Sequence, residues 1–367
     1  MLPSAAPTHH QFVHPGSLLN ADTLAILWNI SSTQSSKTVP TSNWISDLLA
    51  TPTNSISGAK HSISHADHAS MMLAGESVYK CTIAYVVSHN TIYADAAIHI
   101  MNDWATINKT FDFGSQPHCG NAPLEYGWMI SSFAKAVEIL KYAYHGWSNI
   151  FEVTFNQWID EIVLPYLKAN PNGSGNWCHT IDEARLQLSI FRDDEAEFKT
   201  CIAAISQRLE RDIDHDGIIV ETFRDLWHAQ SGIGALAQSC EIAWSQGFDL
   251  YSVGNNALKT CMELHAQMLN DPGNPPAIQK AIDFSVANKS MPLEQYRTLW
   301  PLSFGRWPRE IVNRIYWPAG YEIAVHHYAN RMNIPMPQCK SLAEKNRPER
   351  YSFNVGYGTY TSFMPNE

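Results

Sequence analysis

Charge is scarce in this 367-residue chain: only 16% of its residues are Asp, Glu, Lys or Arg, well under the roughly 25% of ordinary domains. Basic residues are the scarcer kind, 25 against 35 acidic, which leaves a net charge of -10. Nucleic acid and anionic membrane surfaces are excluded as partners, because both need a positive field. An acidic sugar polymer stays open, provided a local basic pocket works against the repulsive overall field. No run of about 18 apolar residues occurs, so no helix is expected to span a membrane. The opening MLPSAAPTHHQFVHPG has neither a basic n-region nor an apolar h-region, so a secretory leader is expected to be absent or already removed. The seven cysteines (Cys81, Cys119, Cys178, Cys201, Cys240, Cys261, Cys339) form no CxxC pair and no zinc spacing. Glycosylation sequons at Asn29, Asn108, Asn172 and Asn288 lean towards a secreted protein.

What the chain does have is helical periodicity. Apolar content is 45%, and it recurs at three- and four-residue spacing almost throughout. The spacing predicts helices over 20–30, 43–50, 65–88, 91–107, 124–144, 149–168, 180–191, 194–211, 221–247, 257–269, 309–316 and 319–332. Gly247 is a C-terminal stop for the helix that opens at Glu221. Residues 31–61 and 271–309 read as irregular, the tail from 340 as loop-like, and YSFNVGYGTYTSF as a short terminal strand. Asp214-His215-Asp216-Gly217 starts like a calcium loop but lacks the downstream Glu, and reads as a turn. Paired helices without a fixed sequence repeat predict an all-α fold, an (α/α) toroid of antiparallel hairpins. The expected layout is an N-terminal arm over 1–61, the toroid over 62–335 and a tail over 336–367, in one domain.

In a toroid, alternate helices form an inner ring whose N-termini share one mouth. Taking every second long helix as inner, the starts read His65, Asp67 and His68; Tyr126 and Trp128; Asn176, Trp177 and His179; Glu221, Arg224, Asp225 and His228; and Tyr316, Trp317 and Tyr321. Helix capping enriches Asp, Asn and Ser at such positions, but not Trp, Tyr, His and Arg. Their convergence predicts a binding cleft at that mouth.

A set of motifs accompanies this pattern in order: His14-Pro15-Gly16, Gly175-Asn176-Trp177, Glu221-x-x-Arg224-Asp225-x-x-His228, and Glu241-x-Ala243-x-x-Gln246-Gly247-x-Asp249-Leu250-Tyr251. Tyr321-Glu322, His327-Tyr328, Arg347-Pro348-Glu349 and Gly358-Thr359 follow. Together they resemble the alginate-lyase-type (α/α)-toroid polysaccharide lyases, most of all the branch that includes glucuronan lyases. The resemblance implies β-elimination on a 1,4-linked polyuronate, with no metal or cofactor required. It assigns Asn176 and His228 to neutralising the uronate carboxylate and Arg224 to holding it or lowering a tyrosine pKa. Tyr316 or Tyr321, near Arg309 and Arg314, is expected to supply the acid–base phenol, with Tyr126 as the third candidate. His68, Tyr126, Trp128, Trp177, His179 and Arg309 are expected to bind the sugar. Two departures count against alginate itself: GSGNW replaces the Asn-Asn-His run of alginate-specific relatives, and Ser231 stands seven residues after Arg224 where they carry Tyr. Two other classes fit parts of the pattern, an inverting hydrolase using Asp67, Glu221 or Asp225 as paired carboxylates, and a non-catalytic sugar-binding protein.

Overall fold

The computed structural model describes residues 10–33, 42–54, 57–111, 122–169, 175–222, 226–270 and 320–347, with 349, 354–356, 358 and 362 of the tail. Its helices are α1 (Ala21–Thr33), α2 (Ser42–Leu49), α3 (His68–Ser88), α4 (Thr91–Ile107), α5 (Ala122–Ala143), α6 (Asn149–Trp158), α7 (Leu164–Lys168), α8 (Asn176–Phe191), α9 (Glu195–Arg211), α10 (Leu226–Ser245), α11 (Val253–Asn270), α12 (Tyr321–Ala324) and α13 (Pro337–Lys345). A two-residue parallel pair, β1 (Ser62–Ile63) with β2 (Thr110–Phe111), is the only sheet among the described residues.

The packing follows the alternation predicted from sequence. α3, α5, α8, α10 and α12 pack side by side as an inner ring, while α4, α6, α9, α11 and α13 lie behind them. Burial separates the two layers. Every residue of α5 from Ala122 to Leu140 is buried, and so is all of α8 except Trp177. The outer α9 buries only one stripe, including Phe198, Cys201, Ile205 and Leu209. A helix enclosed on all sides needs small residues where backbones approach, and Gly75 and Gly127 do this: a Cβ on either would meet the neighbouring inner helix at 3.2 Å.

Several boundaries differ from the sequence reading, each for a physical reason. The regular helix after Glu221 begins at Leu226, because Glu221 and Thr222 form a turn. α8 starts at Asn176 rather than at residue 180, immediately after Gly175 in a left-handed conformation (φ 82°). The helices expected over 149–168 and 319–332 are interrupted by π-helical turns, Ile159–Val163 and Val325–Arg331. The first of these precedes Pro165, which cannot donate a helical hydrogen bond. Gly254, Asn255 and Asn256 all have positive φ, so the regular part of α11 begins at Ala257, where the periodicity puts it. The stretch expected to be loop-like from 340 continues α13, opened by Pro337 at its first position and packed on α11 and α12. The terminal strand expected in YSFNVGYGTYTSF and the helix expected over 309–316 fall largely outside the described residues.

Charge inside the body is placed in three networks. Along the α8–α9 seam, Arg208 pairs with Asp182, Arg185 with Glu197 (2.7 Å), and Lys168 with Glu197 (2.7 Å). In the middle of the inner ring Lys135 donates to Gln238 Oε1 (3.0 Å) and to the Asn354 carbonyl. There Glu183 accepts from Ser131 (2.9 Å), Gln238 (3.1 Å), Gln187 and Asn354 Nδ2 (2.7 Å). Burial holds Lys135 down, to about 8, and pushes Glu183 up. The C-terminal tail thus enters the core through Asn354, and Glu349 ties it to the start of α12 by accepting from Gly320 N (2.7 Å).

The third network closes the end opposite the mouth. His14 reaches Glu138 Oε1 with Nδ1 (2.7 Å) and Asp193 Oδ1 with Nε2 (3.0 Å), while Gln246 donates to the carbonyls of Val13 and Gly16. Below it Arg331 grips Glu241 at 2.9 and 3.2 Å, Tyr251 donates to Glu241 (2.7 Å) and stacks on His327 at 3.5 Å, and Tyr328 donates to the Tyr251 carbonyl (2.7 Å). The hydrogen bond to Glu138 raises the His14 pKa against the opposing effect of burial, with Asp193 adding to the rise. A raised folded-state pKa stabilises fully below the ordinary histidine value of 6.5 and is lost as pH climbs through the folded value. His14→Gln is therefore expected to flatten the decline of melting temperature between pH 6 and pH 8; an unchanged slope would contradict this.

Candidate active site

The mouth is built from the N-terminal turns of the inner helices. Gly175 admits the sharp entry into α8: its positive φ suits glycine, and a Cβ there would collide with the Glu221 carboxylate. Glu221 Oε1 accepts from Asn176 N (3.3 Å), so it caps the positive end of α8. Asp67 is tied as firmly: Lys60 and the backbone and hydroxyl of Ser64 (both 2.9 Å) donate to it, outweighing burial and lowering its pKa. Two of the carboxylates that a hydrolase would need are thus helix-terminus anchors; the third, Asp225, lies outside the described residues.

Asn176 and His179 stand one turn apart on α8, both buried, and α10 crosses them at Gly232. A Cβ at 232 would lie 2.8 Å from His179 Nδ1 and 3.3 Å from Asn176 Cα. His179 Nε2 meets Asp212 Oδ2 at 3.0 Å. Burial pushes Asp212 up, but the hydrogen bonds and charges of His179 and Arg211 prevail and hold it at about 2. One turn before Gly232, His228 lies half-buried at the start of α10. Gln230 accepts from the Tyr321 hydroxyl, linking α10 to α12. Burial pushes the Tyr321 phenol well above its ordinary value.

The loop carrying Arg224 lies outside the described residues, but its entry is pinned. His265, fully buried and held down to about 4 by that burial, is neutral. Its Nδ1 donates to the Cys261 carbonyl (2.8 Å), so Nε2 accepts from the Thr222 hydroxyl (2.9 Å).

A group of buried polar atoms at this mouth has no hydrogen-bond partner among the described residues: Asn176 Oδ1, His179 Nδ1, Thr180 Oγ1, Gln230 Nε2 and Ser231 Oγ. Buried polar groups are nearly always paired; others without such a partner among the described residues lie elsewhere in the body, Asp182 Oδ1, Gln187 Oε1 and Asn354 Oδ1 among them, and those on these two adjacent helix starts are the ones placed to meet a polar ligand.

The sequence-predicted residues divide accordingly. Asn176 and His179 come together on α8 against Gly232 of α10, with His228 one turn before Gly232 and Tyr321 joined to α10 through Gln230. Trp177 is partly exposed beside Asn176, and Trp128 is buried in the first turns of α5. His68 is exposed at the start of α3, its ring 5.8 Å from that of His65, which meets Glu125 at 3.0 Å. Tyr126 faces away from this group: it is fully buried among Phe111, Trp158 and Tyr166 and donates to Asn108 Oδ1 (3.1 Å). Asn108 also accepts from Trp158 Nε1 (3.2 Å) and is itself buried, so that sequon is enclosed in packing. Arg224, Arg309 and Tyr316 lie outside the described residues. Asp212, Gln230 and Gly232 escaped the sequence reading; Asp212 ends an outer helix, where nothing local marks it as facing the mouth. Asp214-His215-Asp216-Gly217 is the turn expected, with Asp214 Oδ1 accepting from Asp216 N (2.9 Å) and Ile218 N (2.8 Å).

Comparison with known proteins identifies the fold and the family. The profile of the family described as alginate lyase matches residues 33–274, more than half of the chain. No curated protein matches significantly. Among solved structures, alginate lyase A1-III from Sphingomonas species A1 is 12% identical, with 99% of this chain and 100% of that chain covered at a TM-score of 0.68. A variant of that enzyme complexed with tetrasaccharide is 12% identical, covering 98% and 99% at 0.66. An alginate lyase from Bacteroides ovatus is 13% identical, covering 96% and 100% at 0.60. At these identities the likeness is one of fold, and the fold is the (α/α) toroid. Residues 33–274 carry the family assignment: the chain belongs to the alginate lyase family and is a polysaccharide lyase.

Proposed function

We propose that this lyase cleaves a β-1,4-linked polyuronate by β-elimination, with glucuronan preferred over mannuronate-rich alginate. The observation that carries the reading is the unpartnered polar cluster of Asn176, His179, Thr180, Gln230 and Ser231 at the starts of α8 and α10. The C5 proton of a uronate is too weakly acidic to leave while the neighbouring carboxylate keeps its charge. Donors must neutralise that group and stabilise the enolate-like transition state. Asn176 and His228 take this role, with Arg224 holding the carboxylate. A tyrosine phenolate then removes the C5 proton, and the phenol so formed, or another acid, protonates O4 as the glycosidic bond breaks.

Tyr316 is the better candidate for that phenol, because the Tyr321 hydroxyl is engaged by Gln230 and buried. Tyr321 then keeps Gln230 in place. His68, Trp128, Trp177 and His179 are assigned to sugar binding, as is Arg309 from the sequence alone, and Tyr126 packs with Phe111, Trp158 and Tyr166 away from them. Preference for glucuronan rests on the missing Asn-Asn-His run and on Ser231 in place of tyrosine. The structural duties of Asp67 and Glu221 weigh against a hydrolase.

Incubation with glucuronan, mannuronan, guluronan and pectate tests the reading. Near-ultraviolet absorbance from unsaturated ends is expected, fastest on glucuronan. Reducing ends without that absorbance would indicate hydrolysis, and retention of intact polymer would indicate a binding protein; either overturns the proposal.

A further inference from the structure

The inner helix α12 has only four residues, Tyr321–Ala324, and runs straight into the π-helical turn Val325–Arg331. So short a helix does not hold itself in place, and contacts from outside must set where it starts. Two of these come from the C-terminal tail. Arg347 grips both carboxylate oxygens of Glu322, at 2.7 and 3.0 Å. Glu349, which is buried, accepts from Gly320 N with Oε1 (2.7 Å) and from Gly358 N with Oε2 (2.6 Å). Further along, Asn354 fixes the tail in the core: its carbonyl accepts from Lys135 and from Gln238 Nε2 (3.1 Å), and its amide donates to Glu183 (2.7 Å).

The start of α12 also presses on α10. A Cβ at Gly320 would lie 3.2 Å from Gly234 Cα, and the Tyr321 hydroxyl donates to Gln230, two residues past His228. α12 is thus held between the tail and the part of α10 that reaches the mouth. Arg347 holds α12 by a side chain, whereas Glu349 holds the main-chain N–H immediately before Tyr321.

Resting on the functional reading above, we infer that Glu349 is a positioning residue for the elimination: by accepting from Gly320 it fixes the start of α12, and with it the Tyr321 hydroxyl that orients Gln230 in the turn of α10 opened by His228. Glu349 touches no substrate. It acts through Tyr321, and the tail becomes a working part of the site.

The experiment measures turnover on the most active polymer of the panel together with hydrogen exchange at residues 320–324. Glu349→Met fills the same space but accepts from neither N–H. Exchange at 320–324 should quicken while that of α8 stays unchanged. Turnover should fall by roughly 10- to 100-fold in kcat with KM little changed, since a displacement of about 1 Å set far from the chemistry costs up to about 100-fold. A background of Tyr321→Phe tells positioning from general damage. Once that hydroxyl is gone, Glu349→Met should cost little further rate. Losses that multiply in the double variant would overturn the inference, and so would faster exchange without a loss of rate, or a loss of rate without faster exchange. Abolished turnover in Tyr321→Phe alone would make Tyr321 the acid–base group and overturn it too. Where Glu349→Met does not fold, Glu349→Gln, which keeps one accepting oxygen, is judged by the same pairing of exchange and rate. A wild type inactive on every polymer would refute the functional reading, while exchange at 320–324 would still decide whether Glu349 fixes α12.

Discussion

Asn176→Ala is expected to lower turnover on polyuronate by about 10²–10³-fold, the usual loss when one preorganised donor to a developing oxyanion is removed. Its fold should survive. Asn176 Oδ1 has no partner among the described residues, and the backbone bond from Asn176 N to Glu221 does not depend on the side chain. Stability should therefore stay within about 0.5 kcal/mol of the wild type. Paired measurements of kcat and melting temperature check both halves of the claim. An equal loss of stability and activity would make Asn176 a structural residue only. Unchanged kcat would remove it from the chemistry.

Lys135→Met is expected to destabilise the protein by about 3–5 kcal/mol, because it breaks a buried charge network from one side. Glu183 would lose the positive charge that opposes its burial, and the Gln238 and Asn354 oxygens would lose their donor. The shift is read from the urea midpoint. Combining it with Glu183→Gln should recover part of the loss, since the uncompensated carboxylate is then gone. A single variant within about 0.5 kcal/mol of wild type would show that the network contributes little.

Much of this architecture was legible because an inner helix announces itself. Residues 122–140 are buried on every side, and the sequence shows it as apolar and small residues at all phases rather than one stripe. The ends of α3 and α4 fall where the periodicity stops, at Ser88 and Ile107. α13 was missed because PQCKSLAEK buries only Cys339, Leu342 and Ala343, too few apolar positions to signal a helix by themselves.

The motifs separate in an instructive way. His14-Pro15-Gly16, Glu241 to Tyr251 and His327-Tyr328 hold the closed end, and Glu349 anchors the tail. Gly175-Asn176-Trp177 and the described ends of the run from Glu221 to His228 reach the mouth, with Tyr321 joined to it through Gln230. Within that run Glu221 caps α8 rather than facing a ligand. A sequence shows which residue types gather near a helix start. Which of them turn inward depends on partners as distant as Asp212, and those the periodicity does not reveal.

The central claim is that the uronate carboxylate is received at the starts of α8 and α10. Crystals of the Asn176→Ala protein with a glucuronan oligosaccharide test it most directly. The account predicts one uronate with its carboxylate within hydrogen-bond distance of His228. An oligosaccharide seated instead at the end held by His14 and Gln246, or along the outer helices, would contradict it.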